Sequence, residues 1–440
     1  MKVAVINQFS SAGGGARFAR ALVTGLAQAG PGIEIELFAD AANLERDSLD
    51  EVFANLPQVR VVPVANGLGN LNALPSFGRM SKAYGWLRGR LKRIPLLARA
   101  YYAHRMRAGV AAPRWAGFAL DAQALDRIGS CDVAYLAWPY FIEPVEISVP
   151  LVCTMHDFNF KYPFGNFAPP ALAIVERQVP EWISRSSAVI VSSAFMKDEI
   201  GKFYPGRART VHEIPLTSFS ITSPHDETVS EARARYGLPA DYMICASNTS
   251  SHKNLVTLLR AAGELKRRGM HVPVVFAGHG TDNLGQFGGS GFTHGHPLFV
   301  FQQLTAAMKD GGLTLGSDVF GLGYVSDRDI DALIRGARLV VSPSLYEAGS
   351  GPGLDAWASG TPVAFSDIPP FVEHLSVLDT EAWVFDPHDP VDMADVIAKA
   401  IADPQRAAEM AQRSQAAISR RTWKTVGHEY LRVFEAVVAR

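Results

Sequence analysis

Residues 346–367 read YEAGSGPGLDAWASGTPVAFSD. Before them, ARLVVSP at 337–343 is a short apolar run, the pattern of a buried strand. A loop rich in small residues follows, and Pro352 stands where a helix starts without an N–H to lose. Leu354, Ala356, Trp357 and Ala358 carry that helix to Gly360, and TPVAFSD opens the next strand. A helix N-terminus behind small residues presents free backbone N–H groups and the positive end of a dipole. That suits an anion, a diphosphate in particular. Glu347 lies at the mouth of the loop, where an acid meets a hydroxyl or a developing positive charge. Asp355 falls one turn inside the helix, within reach of a pair of ribose hydroxyls.

The same strand–loop–helix grammar extends outward on both sides. Going back, YMICAS reads as a strand, NTSSHKN as a loop, LVTLLRAAGELKRRG as a helix and VPVVFAG as a strand. Further on, DVFGLGYVS precedes the helix RDIDALIRGA. After the opening stretch come the strand AWVFDP and the amphipathic helix VDMADVIAKAIADP. The N-terminal half starts with KVAVI, a glycine-rich turn NQFSSAGGGAR, the helix FARALVTGLAQAG and the strand IEIELFA. VRVVPV, DVAYLAW, PLVCTMHD and SAVIVSS read as later strands. Buried parallel strands flanked by helices read as continuous apolar runs, so each half is a doubly wound α/β sheet. PLTSFSITSPHDETVSEARARYG reads as the linker, which gives domains at 1–220 and 228–420. Two such halves meet in a cleft, with ligands at the carboxyl ends of the strands.

The 440 residues are 48% hydrophobic and 19% charged, with net charge −1, so nothing in the total calls for nucleic acid as a partner. Cys131, Cys153 and Cys245 lie far apart, which fits buried thiols in a reducing compartment rather than a disulfide or zinc framework. MKVAVINQF is too short an apolar run for a signal peptide, and no stretch has the roughly 18 to 20 apolar residues of a membrane span. The expected location is cytoplasmic, with contact at a membrane surface left open. One segment motivates that contact. No acidic residue occurs between Glu51 and Asp121, and 79–107 carries Arg79, Lys82, Arg88, Arg90, Lys92 and Arg93 among Tyr84, Trp86, Leu87 and Leu91. It reads either as a solvated basic face packed on the core or as a face for an anionic membrane or lipid-linked acceptor.

The opening stretch resembles the donor-site signature of the retaining family 4 glycosyltransferases, the group 1 type. That signature is a glutamate, seven residues, a second glutamate, and an Ala/Ser-Gly-x-Pro-Val turn; the corresponding positions here are Glu347, Asp355 and SGTPV. SHKNLVTLL, VVFAGHG, VFGLGYVSDRDIDALI, FVEHL and AWVFDPHDP surround it in the family's order, over about 240–420. The first half is similar more loosely, through its glycine loop, CTMHD and VIVSSAFMKDEI. The resemblance implies a GT-B fold with two Rossmann-like domains facing each other across a cleft, and a last helix at 422–440 crossing back to the first domain. It also implies transfer of a hexose from a nucleotide-diphosphate sugar, with retention and without a metal or other cofactor. The acceptor would be a hydroxyl of a glycan, as in bacterial-type polysaccharide or lipopolysaccharide assembly.

Carried onto this chain, Glu347 faces the donor sugar and His156 sits near its primary hydroxyl and the acceptor. Lys253 meets the diphosphate as a point charge, Asp355 the ribose, and Gly349, Ser350 and Gly351 supply backbone donors. Gly13, Gly14 and Gly15 let the N-terminal loop approach the diphosphate or acceptor. Two departures stand out. The second acid is aspartate, and Ser247 and Asn248 occupy the place where many relatives carry an arginine, leaving the leaving group to Lys253 with help from His252 or an arginine elsewhere; Asn248 and His252 are themselves donor-binding candidates. That pattern favours a GDP-sugar over a UDP-sugar and a mannose-like hexose. It also leaves room for a catalytically weak, nucleotide-sugar-binding partner subunit. A phosphorylase or epimerase on the same architecture is a further alternative. Asp367 and Glu373 are candidates for touching nucleotide or sugar, and the loop with His279, His294 and His296 reads as a cover for the cleft rather than a metal site.

Overall fold

A computed structural model describes residues 1–7, 14–30, 32–41, 52–64, 119–167, 169–219, 228–285 and 298–440. The basic segment 79–107, Gly13, His294 and His296 lie outside these residues.

The first sheet contains β1 (Lys2–Asn7), β2 (Glu34–Asp40), β3 (Val59–Val64), β4 (Val133–Leu136), β5 (Leu151–Thr154), β6 (Ala188–Val191) and β7 (Val211–Glu213). Their order is β3-β2-β1-β4-β5-β6-β7, and every pairing is parallel, with Val3 opposite both Ile35 and Val133. The second sheet contains β8 (Met243–Ala246), β9 (Val274–Ala277), β10 (Val319–Gly321), β11 (Leu339–Ser342), β12 (Val363–Ser366) and β13 (Trp383–Phe385). Its order is β10-β9-β8-β11-β12-β13, again parallel, with Met243 opposite Val274 and Leu339. The central strands bury both faces under helices, which is why their sequences are apolar without alternation. The order reverses between β1 and β4 in one sheet and between β8 and β11 in the other. These switch points open a crevice at the carboxyl edge of each sheet.

One element departs from the sequence reading. The helix Val229–Tyr236 lies inside the stretch read as linker. A reciprocal capping box between Thr228 and Glu231 starts it, and left-handed Gly237 ends it. Local capping of this kind makes a short helix from a segment with little apolar period.

The last helix, Trp423–Val438, packs on Gly14–Ala29 of the first half. Two glycines permit that approach. A Cβ on Gly427 would lie 2.4 Å from the Gly25 carbonyl carbon, and one on Gly25 would lie 2.1 Å from the Trp423 oxygen. Tyr430 continues the contact inward, with its hydroxyl 3.2 Å from Thr154 Oγ1. The two crossing segments are tied together. Thr217 Oγ1 donates to the Arg421 carbonyl (2.7 Å), Trp423 Nε1 donates to the Ser218 carbonyl (2.7 Å), and Arg421 donates to the Pro215 carbonyl. Among the described residues no helix is long and apolar enough to cross a membrane.

Candidate active site

A cleft of about 600 Å³ lies between the halves. Its lower wall is built at the switch point of the second sheet. The chain leaving β8 turns through Ser247–Ser250 and a short 3₁₀ turn, Ser251–Lys253. Asn254 adopts a left-handed conformation (φ 56°) and starts the helix Leu255–Arg267. Its Nδ2 donates to the carbonyls of Pro343 (2.9 Å) and Pro387 (2.8 Å), so one side chain fixes the loops after β8, β11 and β13. That register brings Lys253 Nζ to 2.5 Å from Glu347 Oε1, which also accepts from Ser344 Oγ at 2.7 Å. Both members of the ion pair line the cleft and keep part of their surface open to it.

After Glu347 the loop enters the helix Gly351–Ser359. Ser350 is the N-cap, and its Oγ accepts from Gly353 N at 3.0 Å. Gly349 is held by its surroundings, since a Cβ there would meet His374 Cε1 at 2.7 Å. The loop is also docked on the first half. The hydroxyls of Ser192 and Ser193 donate to the Ala348 carbonyl (3.1 and 3.3 Å), and the Tyr346 hydroxyl accepts from Phe158 N (2.9 Å).

The upper wall carries His156 and Asp157, just past β5. The His156 ring stacks on Trp138 at 4.0 Å, meets Phe18 edge-on at 4.5 Å, and has Nε2 2.7 Å from the Ala137 carbonyl. Burial pushes its pKa down to about 4, so it is neutral at neutral pH. Asp157 is pushed the other way, up to about 6, by burial and, with a smaller effect, the Glu347 charge. Gly14 and Gly15 line the same space at the N-terminus of helix Gly14–Ala29, and a Cβ on Gly14 would meet nothing within 4 Å.

The structure thus gathers Glu347, Lys253, His156, Gly14, Gly15 and the 349–351 loop around one space. Asp355, Asn248 and His252 line the same space, but they and Glu373 already have partners within the protein. Asp355 is 1% exposed, and its carboxylate is already engaged: it accepts from Arg17 Nη1 (2.8 Å), Ser218 Oγ (2.9 Å) and Phe219 N (2.8 Å). It therefore joins the second half to the first half and to the connector. Asn248 turns its Oδ1 to Ser250 N (2.9 Å), within its own loop. His252 is buried, its Nδ1 lies 2.7 Å from Asn166 Nδ2, and burial drives its pKa well down, so it adds no positive charge. Glu373 caps the helix Ala194–Phe203 of the first half, accepting from Ala194 N (2.6 Å) and Phe195 N (3.0 Å). The described bond at Asp367 is its backbone N–H donating to the Phe385 carbonyl at 2.7 Å.

Sequence reasoning missed Arg17, Asp157 and His374. Arg17 sits among Asp355, Asp327 and Asp331 of the other half, and its signal was only a basic residue in the first turn of a helix opening on a glycine loop. Among the described residues no three His, Cys, Asp or Glu side chains come together as a metal-ligand set.

Comparison with known proteins adds four findings. Residues 230–417 match the family described as glycosyl transferases group 1. A D-inositol 3-phosphate glycosyltransferase of Nocardioides sp. is 29% identical over 270 residues, which span 58% of this chain and 55% of that relative. The serotype-specific mannosyltransferase WbdA of Escherichia coli is 24% identical over 214 residues, 48% of this chain and 23% of that protein. The fold superposes on Anabaena HepE, solved in complex with UDP and glucose, with a TM-score of 0.64 at 19% identity, covering 99% of this chain and 100% of that one.

Proposed function

We propose that this chain, a GT-B protein whose residues 230–417 belong to the group 1 glycosyl transferases, moves a hexose from a nucleotide-diphosphate sugar to a hydroxyl of a glycan. The observation that carries the reading is the Lys253–Glu347 pair beside the N-terminus of helix Gly351–Ser359. A departing diphosphate meets a cation and the positive end of a helix dipole there. The neighbouring carboxylate holds sugar hydroxyls and offsets positive charge at the anomeric carbon. Such prearranged groups act on charge that develops in the transition state. His156, neutral and fixed by Trp138 and the Ala137 carbonyl, serves as a hydrogen-bonding wall for the sugar and the acceptor. Retention, independence from a metal and a bacterial-type polysaccharide or lipopolysaccharide acceptor belong to the same reading. So does action at the cytoplasmic side, with 79–107 as membrane contact. A mannose-like sugar is favoured by the name of WbdA and a GDP donor by Ser247 and Asn248 in place of an arginine, whereas the HepE complex makes UDP-glucose the alternative donor to test.

A donor screen tests this. Thermal shift with UDP-glucose, GDP-mannose and dTDP-glucose finds the donor, because a ligand that binds only the folded state stabilises it in proportion to its occupancy. The expected result is one nucleotide sugar that stabilises both wild type and Glu347→Gln, with nucleotide release from wild type alone, unaffected by EDTA. An inverted product anomer or strict Mn²⁺ dependence would overturn the retaining, metal-independent part. A second reading, a binding subunit without turnover, is favoured by the occupied carboxylate of Asp355. Nucleotide binding with turnover only after a partner is added would establish it.

A further inference from the structure

His374 lies in the helix Pro369–Val377, and its side chain lines the cleft. It is 2% exposed, and neither Nδ1 nor Nε2 has a hydrogen-bond partner among the described residues. A buried imidazole left in that state is costly, because a neutral ring carries one donor and one acceptor that water would otherwise satisfy. Buried polar groups are nearly always bonded, so the exception calls for a partner. Its position says where one would come from. The ring lies directly against Gly349: a Cβ there would fall 2.7 Å from Cε1 and 3.0 Å from Nε2. Gly349 belongs to the loop that carries Glu347 and leads into helix Gly351–Ser359. The absence of a side chain at 349 keeps the ring and the loop backbone in contact at the edge of the cleft.

We propose that His374 recognises the transferred sugar, through a hydrogen bond between a ring nitrogen and one of its hydroxyls. The proposal rests on the donor reading above and names one determinant of it. A hydroxyl is the matching chemistry, since it can donate to the bare nitrogen or accept from the N–H whichever tautomer is present. A phosphate oxygen can only accept, and a neutral ring gives it no charge to pair with. Burial holds the ring neutral by lowering its pKa to about 4.

The test compares Kd for UDP with UDP-glucose, and for GDP with GDP-mannose, by calorimetry on wild type, His374→Phe and His374→Gln. Phenylalanine keeps a ring against Gly349 and removes both nitrogens, while glutamine keeps a donor and an acceptor. The expected result is confined to the sugar. His374→Phe weakens the nucleotide sugar about tenfold and leaves the matching nucleoside diphosphate within about twofold, and His374→Gln recovers part of the loss. Equal weakening of diphosphate and nucleotide sugar would make His374 a support for the loop and overturn the proposal, as would no change in either. A wild-type protein that binds the diphosphate no worse than its sugar conjugate, and is unchanged by His374→Phe, also overturns it while leaving the nucleotide site in place. If wild type binds neither diphosphate nor nucleotide sugar, the donor reading itself falls, and this one with it.

Discussion

Glu347 and Asp355 stand eight positions apart on one loop and helix, and each is paired with a cation. Their surroundings separate them. Glu347 pairs with Lys253 of its own half, at the edge of an open cleft, with side chains 15% and 20% exposed. Asp355 pairs with Arg17 across the two halves, and two further donors from the connector complete its shell. A partly open pair can exchange its partner for a ligand at little cost. A buried pair cannot, because an uncompensated charge left inside costs several kcal/mol. In the proposed reading, the same residue class therefore does chemistry at one position and fixes domain geometry at the other.

The largest expected effect is at the open pair. Glu347→Gln keeps the shape and one hydrogen-bonding oxygen but removes the charge. Loss of one such stabilising group costs about 10²- to 10³-fold in turnover. The midpoint of thermal unfolding should stay close to wild type, since partly exposed substitutions away from packing change stability by about 0.5 kcal/mol or less. A Glu347→Gln enzyme that turns over normally would place this pair alongside Asp355 as structure.

The buried pair should behave in the opposite way. Arg17→Met leaves the Asp355 carboxylate with Ser218 and Phe219 but no cation, and should cost about 3 kcal/mol in denaturant unfolding. Replacing both residues together, Arg17→Met with Asp355→Leu, should recover much of that loss, because a buried pair gives little net stability over apolar residues. Strictly additive losses in the two single variants and the double variant would show that the two side chains are not coupled.

This contrast also explains what could be read from the chain and what could not. The strands were legible because parallel strands covered on both faces must be apolar throughout, and Lys253 and Glu347 were legible because they sit in short loops tied to those strands. Arg17 was not. Its partners Asp355 and Asp327 are 338 and 310 residues away, and nothing local in SSAGGGARF marks an arginine that will cross to another domain. Asp355 was placed on the right helix, but its burial depends on the connector folding over it through Ser218 and Phe219. Glu373 followed the same pattern, since its partners are backbone N–H groups 178 and 179 positions earlier. The helix Val229–Tyr236 could have been found, because Thr228 and Glu231 spell a capping box.

The histidines sharpen the comparison through pH. His156 and His374 each have their pKa lowered to about 4 by burial, against 6.5 for an ordinary histidine. Between these values the unfolded chain binds protons that the folded one does not, so stability falls as pH drops from 6.5 to about 4. Asp157 has the opposite sign. Its pKa is raised from 3.8 to about 6, so its contribution to stability is present below 3.8 and lost as pH rises through 6. Unfolding midpoints measured from pH 7 down to pH 4 should therefore fall in wild type. They should fall less in His374→Phe, by on the order of 2 kcal/mol, and more steeply in Asp157→Asn. A flat profile in wild type would mean that these rings are already protonated when folded.

The smallest expected effect concerns Glu373, which crosses between halves as Asp355 does but at a more exposed seam. Its two oxygens cap Ala194 and Phe195 at the start of helix Ala194–Phe203. Ser193 remains in place as that helix's own N-cap, with its hydroxyl accepting from Met196 N at 3.3 Å, so the helix keeps one cap when Glu373 is removed. A lost cap costs about 1 kcal/mol where nothing replaces it, and water can reach the Ala194 N–H. Glu373→Ala should thus lower stability by less than about 1 kcal/mol. Its main effect should be on the relation between the halves, visible as a larger radius of gyration in solution scattering that returns to the wild-type value with saturating donor. A loss as large as that of Arg17→Met would show that the exposed seam, and not the buried pair, holds the cleft closed.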